Sequence, residues 1–208
     1  MRLLFATTLF VSAALLFLVQ PLLARMVLPL LGGAPAVWNT CMVFFQAALL
    51  AGYAYAHAAP AWLGVRRHAV LHLGLLLLPL LVLPLHLARW WPNPDDFHPI
   101  IWLIGLLLIS AGLPFTVVAT SSPLLQRWFT HTAAPAARDP YFLYGASNLG
   151  SILGLLAYPF LLEPTLSLAH QSLLWTAGYG LLIALTAACA VCLWRAPADK
   201  TSRDREGA

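Results

Sequence analysis

Polar residues are scarce along this chain, and they gather in short clusters that leave six long apolar stretches between them. These run at about Leu3–Leu31, Val37–Ala59, Val70–Ala88, Ile100–Thr120, Phe142–Leu162 and Leu173–Leu193. Each approaches the ~20 residues with which a helix crosses a ~30 Å hydrocarbon core. The stretches are apolar on every face rather than along one stripe, so water cannot be their surroundings. The pattern predicts an all-α fold, a polytopic membrane bundle of six transmembrane helices over residues 1–194. A short charged tail over residues 195–208 is too polar to join it and reads as disordered.

The loops follow from the same pattern. Gly32-Gly33-Ala34-Pro35 makes a tight turn after the first stretch, and Arg89–Pro99 is the longest polar connection. Ala58–His68 and Thr130–Asp139 form the two loops on the opposite side, and Asp139-Pro140 reads as an N-cap followed by a first-turn proline. Trp38, Trp62, Trp90, Trp91, Trp102, Trp128 and Trp194 lie near segment ends, where indoles anchor at membrane interfaces.

Composition sharpens this picture. Hydrophobic residues make up 61% of the chain and charged residues 9%, against about 25% charged in a soluble domain. The net charge of +4 does not indicate nucleic acid, because the charges lie between and beyond the apolar stretches. With a cytoplasmic N-terminus, Arg2, Arg66, Arg67, Arg127, Arg138, Arg195, Lys200, Arg203 and Arg205 fall inside. Arg89 falls outside with Asp95, Asp96 and Glu163, and Arg25 sits late in the first helix. That basic excess places both termini in the cytoplasm, with the chain in the cytoplasmic membrane. The first stretch is too long for the apolar part of a cleaved signal peptide and reads as a retained signal-anchor.

No cofactor or metal is expected. Cys41, Cys189 and Cys192 all fall in apolar stretches, so the Cys189/Cys192 pair reads as small-residue packing. His68 and His72 share a helix face, but most of the seven histidines lie near segment ends and read as interfacial. No span of ordinary polarity is long enough for a soluble catalytic domain, so the chain is not expected to be an enzyme.

Polar groups inside hydrocarbon are costly and mark candidate sites. The first helix carries Gln20-Pro21 and Arg25, and Pro21 predicts a break there. The second carries Asn39 and Gln46, seven residues apart and so on one face. The fourth has Pro114, Ser121, Ser122 and Pro123, which predict a kink near its end. The fifth has Asn148 beside a small-residue face of Ser147, Gly150, Ser151 and Gly154. Gln20, Arg25, Asn39, Gln46 and Asn148 are expected to converge on one polar cavity between the first, second and fifth helices. The competing reading is interhelical packing for the amides and, for Arg25, a side chain that snorkels to the outer headgroups.

The second and fifth helices both open with a proline, aromatic residues and an asparagine, Asn39 and Asn148. With three crossings per unit, this echo suggests a 3+3 inverted repeat, the plan of half a major-facilitator bundle. The stretches from Gln20 to Pro29, Gly32 to Thr40, Phe44 to Gln46, Gly52 to His57 and Asp139 to Ser151 resemble the membrane part of bacterial fused transporter–spermidine synthase-like proteins. In that family a membrane bundle precedes a cytoplasmic aminopropyltransferase-like domain, and the chain ends where that domain would begin. The resemblance therefore implies a membrane module without synthase activity. It would bind or transport a small solute, or serve as a non-transporting scaffold or anchor, or be the truncated remnant of a fused synthase. The partners implied are the lipid bilayer, a second copy or a separately encoded synthase-like domain.

Overall fold

The computed structural model describes residues 1–88, 90–92, 97–132 and 140–195. Arg89, Asp95, Asp96, Arg138, Asp139 and the tail beyond Arg195 lie outside the described residues. The described chain is helical and contains no strand. Five helices are long and apolar enough to cross a membrane. They are α1 (Arg2–Leu31), α2 (Pro35–Leu63), α4 (Pro99–Thr130), α5 (Tyr141–Thr165) and α6 (Leu168–Arg195).

The third apolar stretch departs from the sequence expectation. It holds a shorter helix, α3 (Val65–Leu77), then a 3-10 turn at Leu78–Leu81, and among the described residues no regular helix from there to Pro99. Pro79 is the physical reason. It has no N–H for the carbonyl of Leu76 three residues back, and the Tyr179 hydroxyl on α6 donates to that oxygen instead, at 2.8 Å. The irregular run beyond is held by side chains: Ser172 Oγ donates to the Leu85 carbonyl at 2.6 Å, and the Ala88 N–H donates to Ser110 Oγ at 3.2 Å. Leu85 is buried. Irregular backbone beside apolar helices persists only where protein satisfies it in this way. Hydropathy alone sees an unbroken apolar run here and not the missing donor.

The other prolines also act differently from expectation. α1 stays helical through Pro21 and Pro29, without a break. α4 stays helical through Pro123; its irregularity is a wide π turn at Leu108–Gly112, just before Pro114. α5 has a matching π turn at Tyr158–Leu162, containing Pro159. A proline ring clashes with the carbonyl one turn back, and adding a residue to the turn relieves that clash.

Helix α1 is the centre of the bundle. It packs most extensively on α5, then on α6 and α4, while α2 packs mainly on α4. Small residues permit the closest approaches. A Cβ placed on Gly150 would lie well inside contact distance of the Phe10 carbonyl oxygen, and one on Gly154 would stand 2.9 Å from that of Ala14. Gly52 of α2 meets α4 in the same way, 3.0 Å from the Thr116 oxygen. Ser151 Oγ turns back to the Ser147 carbonyl at 3.0 Å.

Two apolar clusters fill the interior. One contains Leu22, Phe45, Leu107, Phe115, Trp175 and Tyr179; the other contains Phe5, Leu9, Trp128, Phe129, Leu143 and Leu193. Trp128 and Trp102, expected as interfacial anchors, are buried in the protein, whereas Trp62 and Trp90 are exposed. Trp128 packs edge-on against His72, and Trp102 donates to the Pro92 carbonyl at 2.6 Å. Position near a segment end does not reveal on which side of the helix an indole lies.

Gly150→Ala and Gly154→Ala are expected to destabilise the bundle by about 1–3 kcal/mol each, through overpacking against the α1 backbone. Gly145→Ala, with open space at its Cβ, is expected to be neutral or stabilising by about 0.5–1 kcal/mol. Reversible unfolding in mixed micelles checks this; equal effects at all three positions would refute the packing account.

Candidate functional site

α1 forms the floor of an open groove, with α2 on one side and α5 on the other. The larger part is a cavity of about 550 Å³ lined by Pro21, Ala24, Arg25, Leu28, Gly32, Gly33, Val37, Trp38, Leu155, Tyr158, Pro159 and Glu163, among others. A smaller cavity of about 160 Å³ continues it along α1 to Gln20 and Phe17. The two share Pro21, Ala24, Trp38, Cys41 and Leu155 and so form one trough.

The shape follows from the packing. At Gly150 and Gly154, α5 lies directly on the α1 backbone. At the other end of the same pair the helices are bridged by two long side chains, Arg25 and Glu163. Arg25 Nη1 stands 3.6 Å from Glu163 Oε1 and donates to the Glu163 carbonyl at 3.2 Å. The ion pair is long for a charge-assisted hydrogen bond, which prefers about 2.7–2.9 Å. It is also open: the side chains are 37% and 45% exposed. Beside it the Tyr158 hydroxyl is buried, with the Arg25 guanidinium its nearest polar neighbour but no partner at good hydrogen-bond geometry.

The five polar residues expected to share one cavity are divided by the structure. Arg25 lies at the ionic end of the trough, and Gln20 lines its inner part, with Nε2 donating to the Leu16 carbonyl at 3.4 Å. Asn39, Gln46 and Asn148 do not line it, and all three are exposed. On α2, Trp38, Cys41, Met42 and Phe45 face the trough. Asn39 is one residue on from Trp38, and Gln46 one on from Phe45; each step turns a helix by about 100°. Asn148 stands seven residues before Leu155, so it continues the trough's line along α5, but past the point where α5 closes on α1. Shared periodicity located these residues correctly within each helix and could not orient one helix against another.

Two groups of this site escaped the sequence reading. Charge placement puts Glu163 with the external charges, and nothing marks Tyr158 within the fifth apolar stretch. A signal was present: Arg25 and Glu163 carry opposite charges near the ends of the two helices that share the small-residue contact.

A second polar cluster joins α2, α3 and α4. His68 and His72, expected at an interface, are both fully buried. His68 Nε2 and the Tyr55 hydroxyl are 3.0 Å apart. Thr120 Oγ1 gives its proton to the Val117 carbonyl at 2.7 Å, so its 3.5 Å contact with His72 Nε2 needs the hydrogen on that nitrogen. The two imidazoles are nearly parallel, 5.9 Å apart. Among the described residues, no group of three His, Cys, Asp or Glu side chains is placed to hold a metal. The cluster ties three helices together through hydrogen bonds and ring contacts.

Comparison with known protein families, curated proteins and solved structures finds no match to this chain.

An exposed ion pair contributes little to stability, so Glu163→Gln is expected to change it by less than about 1 kcal/mol. Tyr158→Phe removes a buried, unpaired hydroxyl and is expected to be neutral or stabilising. Tyr179→Phe removes a made hydrogen bond and is expected to cost about 1 kcal/mol. Thermal unfolding of the three variants in one detergent checks the ranking; a Tyr158→Phe loss equal to that of Tyr179→Phe would refute it.

Proposed function

We propose that this chain is the integral membrane module of a spermidine synthase-like membrane protein, a non-catalytic six-crossing half-bundle that closes its open trough against a second copy of itself. In this reading the trough is where the module binds or passes a small solute. The observation that carries it is the exposure of Asn39 and Gln46 on α2 and of Asn148 on α5, the two helices that flank the trough. An amide facing hydrocarbon loses its hydrogen bonds to water and finds none in lipid. Each amide is both donor and acceptor, so the same face of a second copy can satisfy it.

Further features support the reading. The segment from Val65 to Ala88 counts as the third crossing, its last part irregular but held by α4 and α6. α1 packs chiefly on α5 and α2 chiefly on α4, the two pairs that an inverted repeat relating helix 1 to 4 and helix 2 to 5 would interchange. Arg127 donates to the His57 carbonyl and Trp194 to that of Arg66, so the arginine-bearing ends of α3, α4 and α6 lie together with the His57 end of α2. The positive-inside rule then makes this end cytoplasmic and the Arg25–Glu163 end external.

The second reading is a scaffold or anchor that transports nothing, including one serving a separately encoded synthase-like domain. It is favoured by the same three amides, since they do not converge on the trough.

Assembly is tested by native mass spectrometry of the protein extracted in polymer-bounded lipid particles. The wild type is expected as a dimer. Asn39→Leu, Gln46→Leu and Asn148→Leu together are expected to give folded monomer. A monomeric wild type, or a triple variant that stays dimeric, defeats the proposal. Reporter fusions at Arg67 and after Arg195 are expected to read cytoplasmic, and one at Phe97 external. A cytoplasmic signal at Phe97 would overturn the third crossing.

A further inference from the structure

The trough has the features of a site for an amphiphile rather than for a compact polar solute. Its ionic groups lie together at one end, and apart from Gln20, whose amide turns back to the Leu16 carbonyl, the rest of its lining is largely apolar. From Arg25 inward to Phe17 it follows eight residues of α1, a length of roughly 12 Å at the rise of an α-helix. That is close to one leaflet of a ~30 Å hydrocarbon core. Leu28, Trp38, Met42 and Leu155 along its sides are about half exposed, so the trough is open laterally, where a lipid chain could enter without crossing a polar barrier.

The ionic end defines the head group. Arg25 and Glu163 together carry no net charge, so a ligand with one charge of one sign would strand the opposite partner. A ligand carrying an anion and a cation meets both. The guanidinium has five N–H donors, of which Nη1 serves Glu163, leaving donors for a phosphate. The carboxylate of Glu163, more than one-third exposed, can accept from an ammonium group. The pair is loose enough, at 3.6 Å, to open around such a group. The Tyr158 hydroxyl is an independent sign. It is buried at this end of the trough without a partner at good hydrogen-bond geometry, an unfavourable condition until a ligand or water meets it.

We propose that this trough binds a zwitterionic phospholipid, with the phosphate on Arg25 and Tyr158, the head-group ammonium on Glu163, and one acyl chain along α1 towards Gln20 and Phe17. The proposal rests on the trough's being a binding site, with the lipid lodged along α1 before a second copy closes over it. A free zwitterion of the same head-group chemistry is the rival source, and the absence of an acyl chain separates the two.

Native mass spectrometry of the full chain in detergent, titrated with dioleoyl phosphatidylethanolamine, dioleoyl phosphatidylglycerol or soluble phosphoethanolamine, tests it. One phosphatidylethanolamine molecule is expected to be retained at least ten-fold more tightly than phosphatidylglycerol. The double variant Arg25→Gln/Glu163→Gln is expected to abolish that preference. Leu155→Trp, which fills the trough from an exposed position, is expected to remove the bound lipid whatever its head group. Thermal unfolding confirms that each variant is folded, and Leu155→Trp decides the matter if the double variant is not. Equal retention of the two lipids, or a preference that survives in both variants, would overturn the proposal. Phosphoethanolamine binding as tightly as the lipid would overturn the lipid assignment while leaving a binding site in the trough. Absence of binding by all three probes would overturn both.

Discussion

The contact of α5 with α1 at Gly150 and Gly154 governs the rest of this bundle. Where two helices touch backbone to backbone, nothing larger than a hydrogen can stand between them. That contact brings one end of the pair together. At the other end, Arg25 and Glu163 are long enough to meet across a wider gap, and the space beneath them is the trough. The wide π turn of α5 at Tyr158–Leu162 lies at this end too and carries Tyr158, buried on the groove. Small residues at one end and long charged ones at the other thus make a tapered opening from two nearly continuous helices.

The second constraint is the need to satisfy backbone groups away from water. It explains why polar side chains occur where they do in so apolar a chain. Tyr179 and Ser172 on α6 and Ser110 on α4 all serve the backbone of the third segment, where proline interrupts the helical ladder. Trp175 donates to the Leu15 carbonyl of α1 at 2.9 Å. These are internal partners for backbone atoms and carry no functional implication. Arg25, Glu163 and the exposed amides are of another kind, because their hydrogen-bonding capacity is left partly unused.

The histidine cluster falls between these two kinds. Tyr55, His68, His72 and Thr120 bind one another across three helices, which is a packing role. Their burial also shows how a sequence position can mislead. His68 follows two arginines at a helix start, where water is near, yet its ring points inward between α2 and α4. A single helical turn contains both an exposed and an enclosed face, and only the neighbours decide which residue occupies which.

The sequence by itself determined the class of structure. Apolar runs of membrane-crossing length need helices, since a helix meets its own backbone hydrogen bonds. Five of the six expected segments are such helices, and the small-residue face of α5 was visible as a repeat of Gly and Ser. Arg25 was recognisable as a residue needing a partner, because a charge among apolar residues is conspicuous in any arrangement. The partner itself was not, because Glu163 is 138 residues away and reaches Arg25 only through the angle at which α5 crosses α1. Tertiary structure also decided that Gln20 faces the trough while Asn39, Gln46 and Asn148 do not. The rotation of each helix about its axis is set by how neighbouring side chains and glycines interlock, and in an almost uniformly apolar helix the sequence has no polar face to announce it.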